Sequence, residues 1–424
     1  MRAFLRKLLH FFGSYGLAVF VLAAMLVVTL LGTLAQKRIG LYEAKLNYFD
    51  SLIAWEPVDL FGWRTSLPLP GGALLMALLS VNLLIGGLIR IRKSWRTAGV
   101  IVAHIGIALL MAAGLVAMLA GREGYVALFP GETASEFRSH YEYEVAIRSA
   151  DALDGGQELV IPDADLRVLE VGLDGRPAPS SLLAPLWRYL ETGTFERREA
   201  QVFQSPELPF ALELSHFVPN GGVAPLNAAS ASPLPVVDGL TVVPRPKAVQ
   251  AEENLPAVYA RALAPDGELL GETILAETAT RPWAVAVGDA VWAVSLRPKR
   301  FAMPFEVRLE EFFKDEHPRT DMAAVYRSDV TALRGDGREE RVRIEMNQPL
   351  RDDGFVMFQA SFTEFPGEEG PRYRSQFAVV RNPADKWPEY ACWVIGAGLV
   401  FAFGARLWGF LRKQQRARAE GAPA

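Results

Sequence analysis

The sequence is very poor in cysteine, and this excludes several kinds of site. Cys392 is the only cysteine in 424 residues, so the chain can form no intrachain disulfide, no CxxC redox pair and no cysteine-rich metal site. A glycine-rich phosphate loop, an HExxH motif and a GxSxG motif are also absent. The sequence therefore gives no support to a thiol oxidoreductase, a nucleotide-binding enzyme or a hydrolase.

Charge is present but unevenly distributed. Residues 1–120 carry 11 Lys/Arg against 4 Asp/Glu (net +7), residues 121–387 carry 28 against 42 (net −14), and residues 388–424 carry 5 against 2 (net +3). Basic, apolar ends around an acidic middle argue against a purely soluble protein. They also give no support to a nucleic-acid partner, which would favour a basic domain.

Four long apolar stretches predict four transmembrane helices, at about 14–35, 71–89, 97–121 and 388–411. At 1.5 Å per residue, the first would form a helix of about 33 Å, enough to cross a bilayer. Basic residues precede the first stretch, fill the short turn at 90–96 and form the tail 412–424. Because positive residues favour the cytoplasmic side, we expect both termini in the cytoplasm and the segment 122–387 outside.

The outer segment between the first two stretches has a helical stripe. Tyr42, Leu46, Phe49 and Ile53 follow one another at intervals of three or four residues. This spacing predicts an amphipathic helix over 41–55. Such a helix would either lie on the outer membrane surface or cap the large outer domain.

The segment 122–387 is predicted to be a β-rich domain. Residues 141–147 alternate apolar and polar side chains, as in a half-buried strand, and Gly288-Asp289 separates two apolar runs as in a hairpin. The best helix candidate is 181–191. Residues 209–217 and 304–312 share the pattern P-F-x-[LV]-x-L-x-x-F, which indicates either two ordinary strands or two related subdomains split near the loop or hinge at 219–235.

His104 is an ionisable residue within the third apolar stretch, and such residues are by default candidates for function. Gly99, Ala103, Gly106 and Gly114 nearby would allow close helix contact or access by a flat ligand. Three roles are open: an axial ligand of haem iron, a proton relay, or an interhelical hydrogen bond. The residues alone favour the hydrogen bond. For His140, His216 and His317 of the outer segment, a structural or solvated role is the better interpretation, and His216 is expected to face solvent.

The chain resembles the ResB (CcsB) family, the membrane component of System II cytochrome c biogenesis. The order of three spans, a large outer domain and a final span fits that family. The stretches that carry the resemblance are Leu31-Gly32-Thr33, Lys93-Ser94-Trp95-Arg96 leading through His104 to Gly114, 304–312, 326–330, 346–350, 354–355, 358–362, 380–383 and 386–388.

The resemblance implies a place in the bacterial cytoplasmic (inner) membrane, with the large domain on the periplasmic side, and a set of partners. A ResC (CcsA)-like membrane protein would handle haem together with this chain, and apocytochrome c would receive the haem at its CxxCH motif. The family's third-span histidine supplies one axial ligand to haem b within the membrane, and only His104 matches that position. The chain would then be a non-autonomous subunit of a haem ligation complex, without catalytic residues of its own.

Two other functions remain open on the sequence. A membrane-anchored scaffold or sensor would use the outer domain to bind a ligand and would need no haem. A quinone or electron-transfer subunit would use His104 as a haem ligand, but such proteins typically need a second intramembrane histidine, and the four apolar stretches contain none.

Overall fold

The computed structural model describes residues 2–60, 63–150, 158–176, 199–226, 232–317, 323–345, 347–367 and 370–420. These residues form two compact units. The first comprises the residues up to Leu34, Ala44–Arg122 and those from Val380 onward. The second comprises Ala35–Glu43 and Glu123–Val379.

Helices make up most of the first unit. They are α1 (Arg2–Phe12), α2 (Tyr15–Ala44), α3 (Gly72–Asn82), α4 (Ala98–Ala120) and a C-terminal helix (Trp387–Glu420), with π-helical turns after α2 (Lys45–Phe49) and after α3 (Leu83–Ile89). In the described part of the chain, four of these segments are long and apolar enough to cross a membrane: Tyr15–Phe49, Gly72–Ile89, Ala98–Ala120 and Trp387–Arg416. The prediction of four apolar helices is confirmed.

The region after α2 corrects the prediction of a helix over 41–55. Helical structure ends at Phe49, and strand β1 (Ile53–Leu60) pairs antiparallel with β2 (Trp63–Pro70). Ile53, the last member of the predicted helical stripe, opens the strand. The helix cannot continue because Asp50 closes the π-helical turn, its backbone N–H donating to the Lys45 carbonyl.

The second unit is β-rich, as predicted. Its strands are β3 (Arg122–Leu128), β4 (Thr133–Ser149), β5 (Glu158–Ile161), β6 (Ala200–Phe203), β7 (Ala211–Val218), β8 (Gly221–Pro225), β9 (Leu240–Pro244), β10 (Ala257–Leu263), β11 (Leu269–Ala276), β12 (Trp283–Val287), β13 (Ala290–Glu316), β14 (Ala323–Arg334), β15 (Glu339–Ile344), β16 (Leu350–Asp352), β17 (Phe355–Phe365) and β18 (Arg372–Arg381). A short helix α5 (Asp163–Leu166) follows β5.

Two sheets dominate this unit. The larger has the order β15-β14-β13-β4-β3-β18-β17-β16, with β12 attached to β13 and β5 attached to β4. The smaller has the order β11-β10-β7-β6. The hairpin expected at Gly288-Asp289 joins β12 to β13, where Gly288 has a positive φ of 60°.

Two hydrophobic cores share the long strands β4 and β13. One core joins Val145, Ile147 and Val294 of these strands to β7 and β10 of the smaller sheet, and the other joins Phe137 and Val307 farther along the same strands to β14, β17 and β18. The two similar segments at 209–217 and 304–312 fall in different sheets. A division near 219–235 therefore does not coincide with the two cores, and that region contains strand β8. The helix expected at 181–191 lies outside the described residues.

The short segment Ala35–Glu43 is held to the β-rich unit by specific contacts. Gly40 has a positive φ of 81°, and a Cβ atom there would lie 2.0 Å from the Val249 carbonyl oxygen, so only glycine allows this backbone approach. The Tyr42 ring stacks on Tyr141 at a centroid distance of 4.2 Å. Lys247 pairs with Glu43 at 3.0 Å. Tyr42, the first residue of the predicted stripe, thus contacts the β-rich unit, as the capping alternative expected.

Candidate functional site around His104

Helix α4 carries His104 on an otherwise uncharged run of 23 residues. The helix begins after the basic turn, where the Thr97 hydroxyl accepts a hydrogen bond from the Ser94 N–H at 3.0 Å. His104 is the seventh residue of α4, about 10 Å from its beginning. The imidazole is half-buried.

The hydrogen bonding of the ring decides which nitrogen is available. Nδ1 lies 2.6 Å from the carbonyl oxygen of Val100, one turn earlier in the same helix. Because a carbonyl oxygen only accepts, Nδ1 carries the proton and Nε2 has a free lone pair. No described residue hydrogen-bonds Nε2. The interhelical hydrogen bond favoured by the sequence is thus wrong, since the partner belongs to α4 itself.

Gly87, in the π-helical turn after α3, lies against the His104 ring. A Cβ atom at this position would lie 2.4 Å from Cδ2 and 3.1 Å from Nε2 of His104. Because a Cβ atom would overlap the ring, only glycine lets the backbone and the imidazole edge lie in contact at this position. π-Helical turns within α-helices often mark functional sites because they redirect the backbone locally. Gly87 was not singled out from the sequence, since glycines are frequent in membrane helices.

The small residues near His104 serve mainly for helix contact. A Cβ atom on Gly99 would lie 2.5 Å from the Ala402 backbone nitrogen, and one on Gly398 would lie 2.5 Å from the Ala103 nitrogen. A Cβ atom on Gly106 would lie 2.6 Å from Ile395 Cγ1. These residues bring α4 and the C-terminal helix to backbone contact, and Gly114 alone of the four predicted small residues faces open space.

Asn82 is a second polar residue in the apolar helices, and the sequence reasoning missed it. Its side-chain amide donates to the carbonyl oxygens of Phe12 (2.6 Å) and Ser14 (3.0 Å). The Phe12 carbonyl lies at the end of α1, where helix geometry leaves acceptors without partners, and the Ser14 carbonyl at the start of α2 also accepts from the Ala18 N–H. Asn82 therefore satisfies a helix end, and its role is structural.

The remaining histidines do not join His104 in one site. His10 lies within 3.3 Å of Arg90 at the end of α1. No described residues form a group of three or more His, Cys, Asp and Glu that could hold a metal ion.

The sequence analysis expected His216 to face solvent, but its side chain is partly buried. It has a left-handed φ of 48° at a bulge between β7 and β10, and its ring meets Tyr259 edge-on at 5.7 Å. Nδ1 is buried without a hydrogen-bond partner among the described residues. Burial lowers the pKa of its imidazole, which Glu199 only partly offsets. Burial likewise lowers the pKa of His140, whose ring lies beside Tyr125.

A comparison with models of protein families gives a match. The model of the ResB-like family matches residues 272–374, from β11 to β18. A search of curated proteins finds no relative. The resemblance noted in the sequence is confirmed by this match, which covers β-rich structure and does not include His104.

Proposed function

From the ResB-like match at residues 272–374, we propose that this chain is a membrane subunit of a complex that attaches haem to apocytochrome c. The family points to cytochrome c biogenesis, and the four apolar helices fit a membrane protein. In this proposal haem is cargo that the complex passes outward and joins to the CxxCH motif of the client. The setting is the bacterial cytoplasmic membrane.

The observation that carries the haem part of this proposal is the geometry of His104. Its Nδ1 is held by Val100, its Nε2 has no hydrogen-bond partner among the described residues, and its ring edge lies against the backbone of Gly87. A carbonyl partner on one nitrogen fixes the tautomer and the ring orientation, as in many metal-binding histidines. A neutral imidazole of this kind is a common axial ligand of haem iron. His104 would therefore hold haem b from one side.

The second axial ligand would come from a ResC (CcsA)-like partner. His104 is the only histidine in the four apolar helices, so this chain offers no opposite imidazole there. Sharing the haem between two subunits also fits a histidine whose Nε2 has no hydrogen-bond partner among the described residues. The chain would bind and orient haem without completing the thioether bonds alone.

The single cysteine supports this division of labour. Apocytochrome thiols must be reduced before they react, and a chain with one cysteine contains no dithiol that could reduce them. Reduction would therefore fall to other proteins.

A maturation assay tests this function. The chain is co-expressed with a ResC-like partner and a reporter apocytochrome c in bacteria that lack their own maturation system, and covalently bound haem in the reporter is measured by in-gel peroxidase staining. We expect stained reporter only when both membrane proteins are present. His104→Ala should lower staining by about tenfold or more, because an iron ligand is lost.

His317→Ala, which changes an exposed histidine of the β-rich unit, is the matched control and should leave staining unchanged. Equal staining with and without this chain would reject the proposal. The chain would then fit the scaffold or sensor alternative, in which no haem is bound.

A further inference from the structure

A groove in the β-rich unit carries an unusual concentration of arginine. Its volume is about 430 Å³, within the range of ligand-binding pockets. It runs between strand β11, the loop that follows it, and one face of β4, β5 and β13. Five arginines line it, from β4 (Arg138, Arg148), from the loop (Arg281) and from β13 (Arg297, Arg300).

Three of these arginines have no partner within the described part of the chain. Arg297 pairs with Glu144 at 2.9 Å and with Glu158 at 2.5 Å, and Arg300 pairs with Glu136 at 3.0 Å. Arg138, Arg148 and Arg281 form neither an ion pair nor a hydrogen bond there. Two carboxylates line the groove. Glu158 is paired with Arg297, and Glu277 forms no ion pair with a described residue.

The local potential is therefore positive, although the segment 121–387 is acidic as a whole. The pKa of the Glu158 carboxyl is one consequence of this positive potential. Its pKa is held below the ordinary value by the hydrogen bond from Arg297, and the charges of Arg300 and Arg148 act in the same direction.

The arginines are spread along the strands. Arg148 lies opposite Ala293 and Arg138 lies opposite Arg300 in the β4–β13 ladder. These two positions are seven residues apart along β13, a span of about 23 Å at about 3.3 Å per residue. A ligand that meets both ends of the row must be extended.

Strand β11 offers the second feature of the groove. It stands at the edge of the smaller sheet and, in the described chain, is hydrogen-bonded to β10 alone. Four consecutive residues of this strand, 273–276, line the groove. Because successive side chains point to opposite faces, four in a row show that the groove follows the strand edge. Unpaired backbone groups at a sheet edge can accept an added strand.

We propose that this groove binds an extended acidic segment of a partner protein, which pairs with the free edge of β11 while its carboxylates meet Arg138, Arg148 and Arg281. Trp283, Ile274 and Leu296 also line the groove. They would contact the apolar side chains that alternate with the carboxylates of the bound segment. Charge complementarity selects an acidic occupant, and the length of the arginine row selects an extended one. The proposal does not depend on haem binding at His104.

The test uses the full chain in detergent and a fluorescein-labelled octapeptide of alternating Glu and Val, with binding followed by fluorescence anisotropy. Two control peptides separate the two kinds of contact. One has Gln in place of Glu and removes the charge. The other keeps Glu but is N-methylated on alternate backbone amides, which removes strand pairing. We expect both to bind at least tenfold more weakly than the parent peptide.

Substitutions locate the site. Arg138→Gln, Arg148→Gln and Arg281→Gln should each weaken the binding of the parent peptide by about threefold, in keeping with partly exposed charge pairs. If the three effects combine, the triple variant should bind the parent peptide at least about twentyfold more weakly than the unmodified chain does. Because these three side chains form no ion pair and no hydrogen bond with the described residues, the variants should stay within a few degrees of the melting temperature of the unmodified chain. Arg341→Gln, an exposed arginine on β15 outside the groove, is the matched control.

Three results would overturn the proposal. Undiminished binding to the triple variant would place the site elsewhere. Undiminished binding of the N-methylated peptide would show that charge alone is read, as for a small carboxylate. No binding of the parent peptide at about 1 mM would exclude a useful affinity.

Discussion

At position 87, a hydrogen atom stands where any other amino acid would place a Cβ atom 2.4 Å from the His104 ring. Contacts below 3 Å between such atoms force one of them to move. His104 has little freedom to do so, because its Nδ1 is bound to Val100 at 2.6 Å. The candidate site therefore consists of a histidine, its carbonyl anchor and a glycine.

Gly87→Ala should lower haem retention without removing the ligand. The added methyl group would overlap the imidazole and displace it, so haem affinity should fall about tenfold, an overpacking cost of the usual size. Haem content of the purified complex measures it. Gly114→Ala adds a methyl group on α4 where nothing lies within 4 Å, and it should retain haem. Equal haem content in both variants would remove Gly87 from the site.

His216 should make the β-rich unit sensitive to acid. Its pKa is lowered by burial, so between pH 6.5 and that lower value the unfolded chain takes up a proton and the folded chain does not. The free energy of unfolding therefore decreases as pH falls through this window. His216→Asn should reduce the fall in melting temperature between pH 7 and pH 5. Asparagine removes the titrating group and tolerates the positive φ.

The corresponding control is His317→Asn, which alters an exposed ring and should keep the acid sensitivity of the unmodified chain. Identical pH profiles for His216→Asn and the unmodified chain would show that this histidine does not contribute.

At the scale of elements, α4 and the C-terminal helix are joined by backbone contact. Gly99 and Gly398 each place their backbone where the other helix leaves no room for a Cβ atom. Between apolar helices in a membrane, such close packing replaces the hydrophobic effect as the source of association. We therefore expect that replacing either glycine alone weakens the contact between the two helices.

Gly398→Ala should destabilise the helical unit by about 2 kcal/mol, since the methyl group would overlap backbone atoms of α4. Gly404→Ala lies on the same helix with nothing within 4 Å and gains the same helix propensity. Unfolding in mixed detergent micelles gives the two free energies. A stability of Gly398→Ala equal to that of Gly404→Ala would contradict the described helix contact.

The helices and strands also show which features of the fold could be predicted from the sequence. Long apolar runs and alternating patterns identified the four helices, the strand at 141–147 and the hairpin at Gly288-Asp289, because burial imposes those periods directly. The hairpin of β1 and β2 was missed because Pro57 and Pro68 argue against strands, although proline is tolerated at the edges of a two-stranded hairpin. Gly87 and the sharing of β4 and β13 by two cores depend on contacts between distant residues, which periodicity does not contain.

For the whole molecule, the distribution of charge predicts a direction of insertion. The turn 90–96 and the C-terminal tail are basic, whereas the segment 121–387 has a net charge of −14, so we expect the turn and the tail in the cytoplasm and the acidic segment outside. Phosphatase fusions test this. Alkaline phosphatase, which is active only outside the cytoplasm, should be active when fused after Gly288 and inactive when fused after Lys93 or Lys413.

Activity at Lys93 together with inactivity at Gly288 would invert the topology. Haem made in the cytoplasm would then meet His104 from the far side, and the proposed route outward would fail.

The most direct test asks whether His104 is a ligand of haem iron. The chain is purified in mild detergent together with a co-expressed ResC-like protein, and haem is quantified by the pyridine haemochrome method for the unmodified chain and for His104→Gly, each with and without imidazole. We predict that haem is lost in His104→Gly and returns when imidazole fills the place of the side chain. Haem content that is the same in both proteins, with or without imidazole, would contradict the assignment of His104 as the haem ligand.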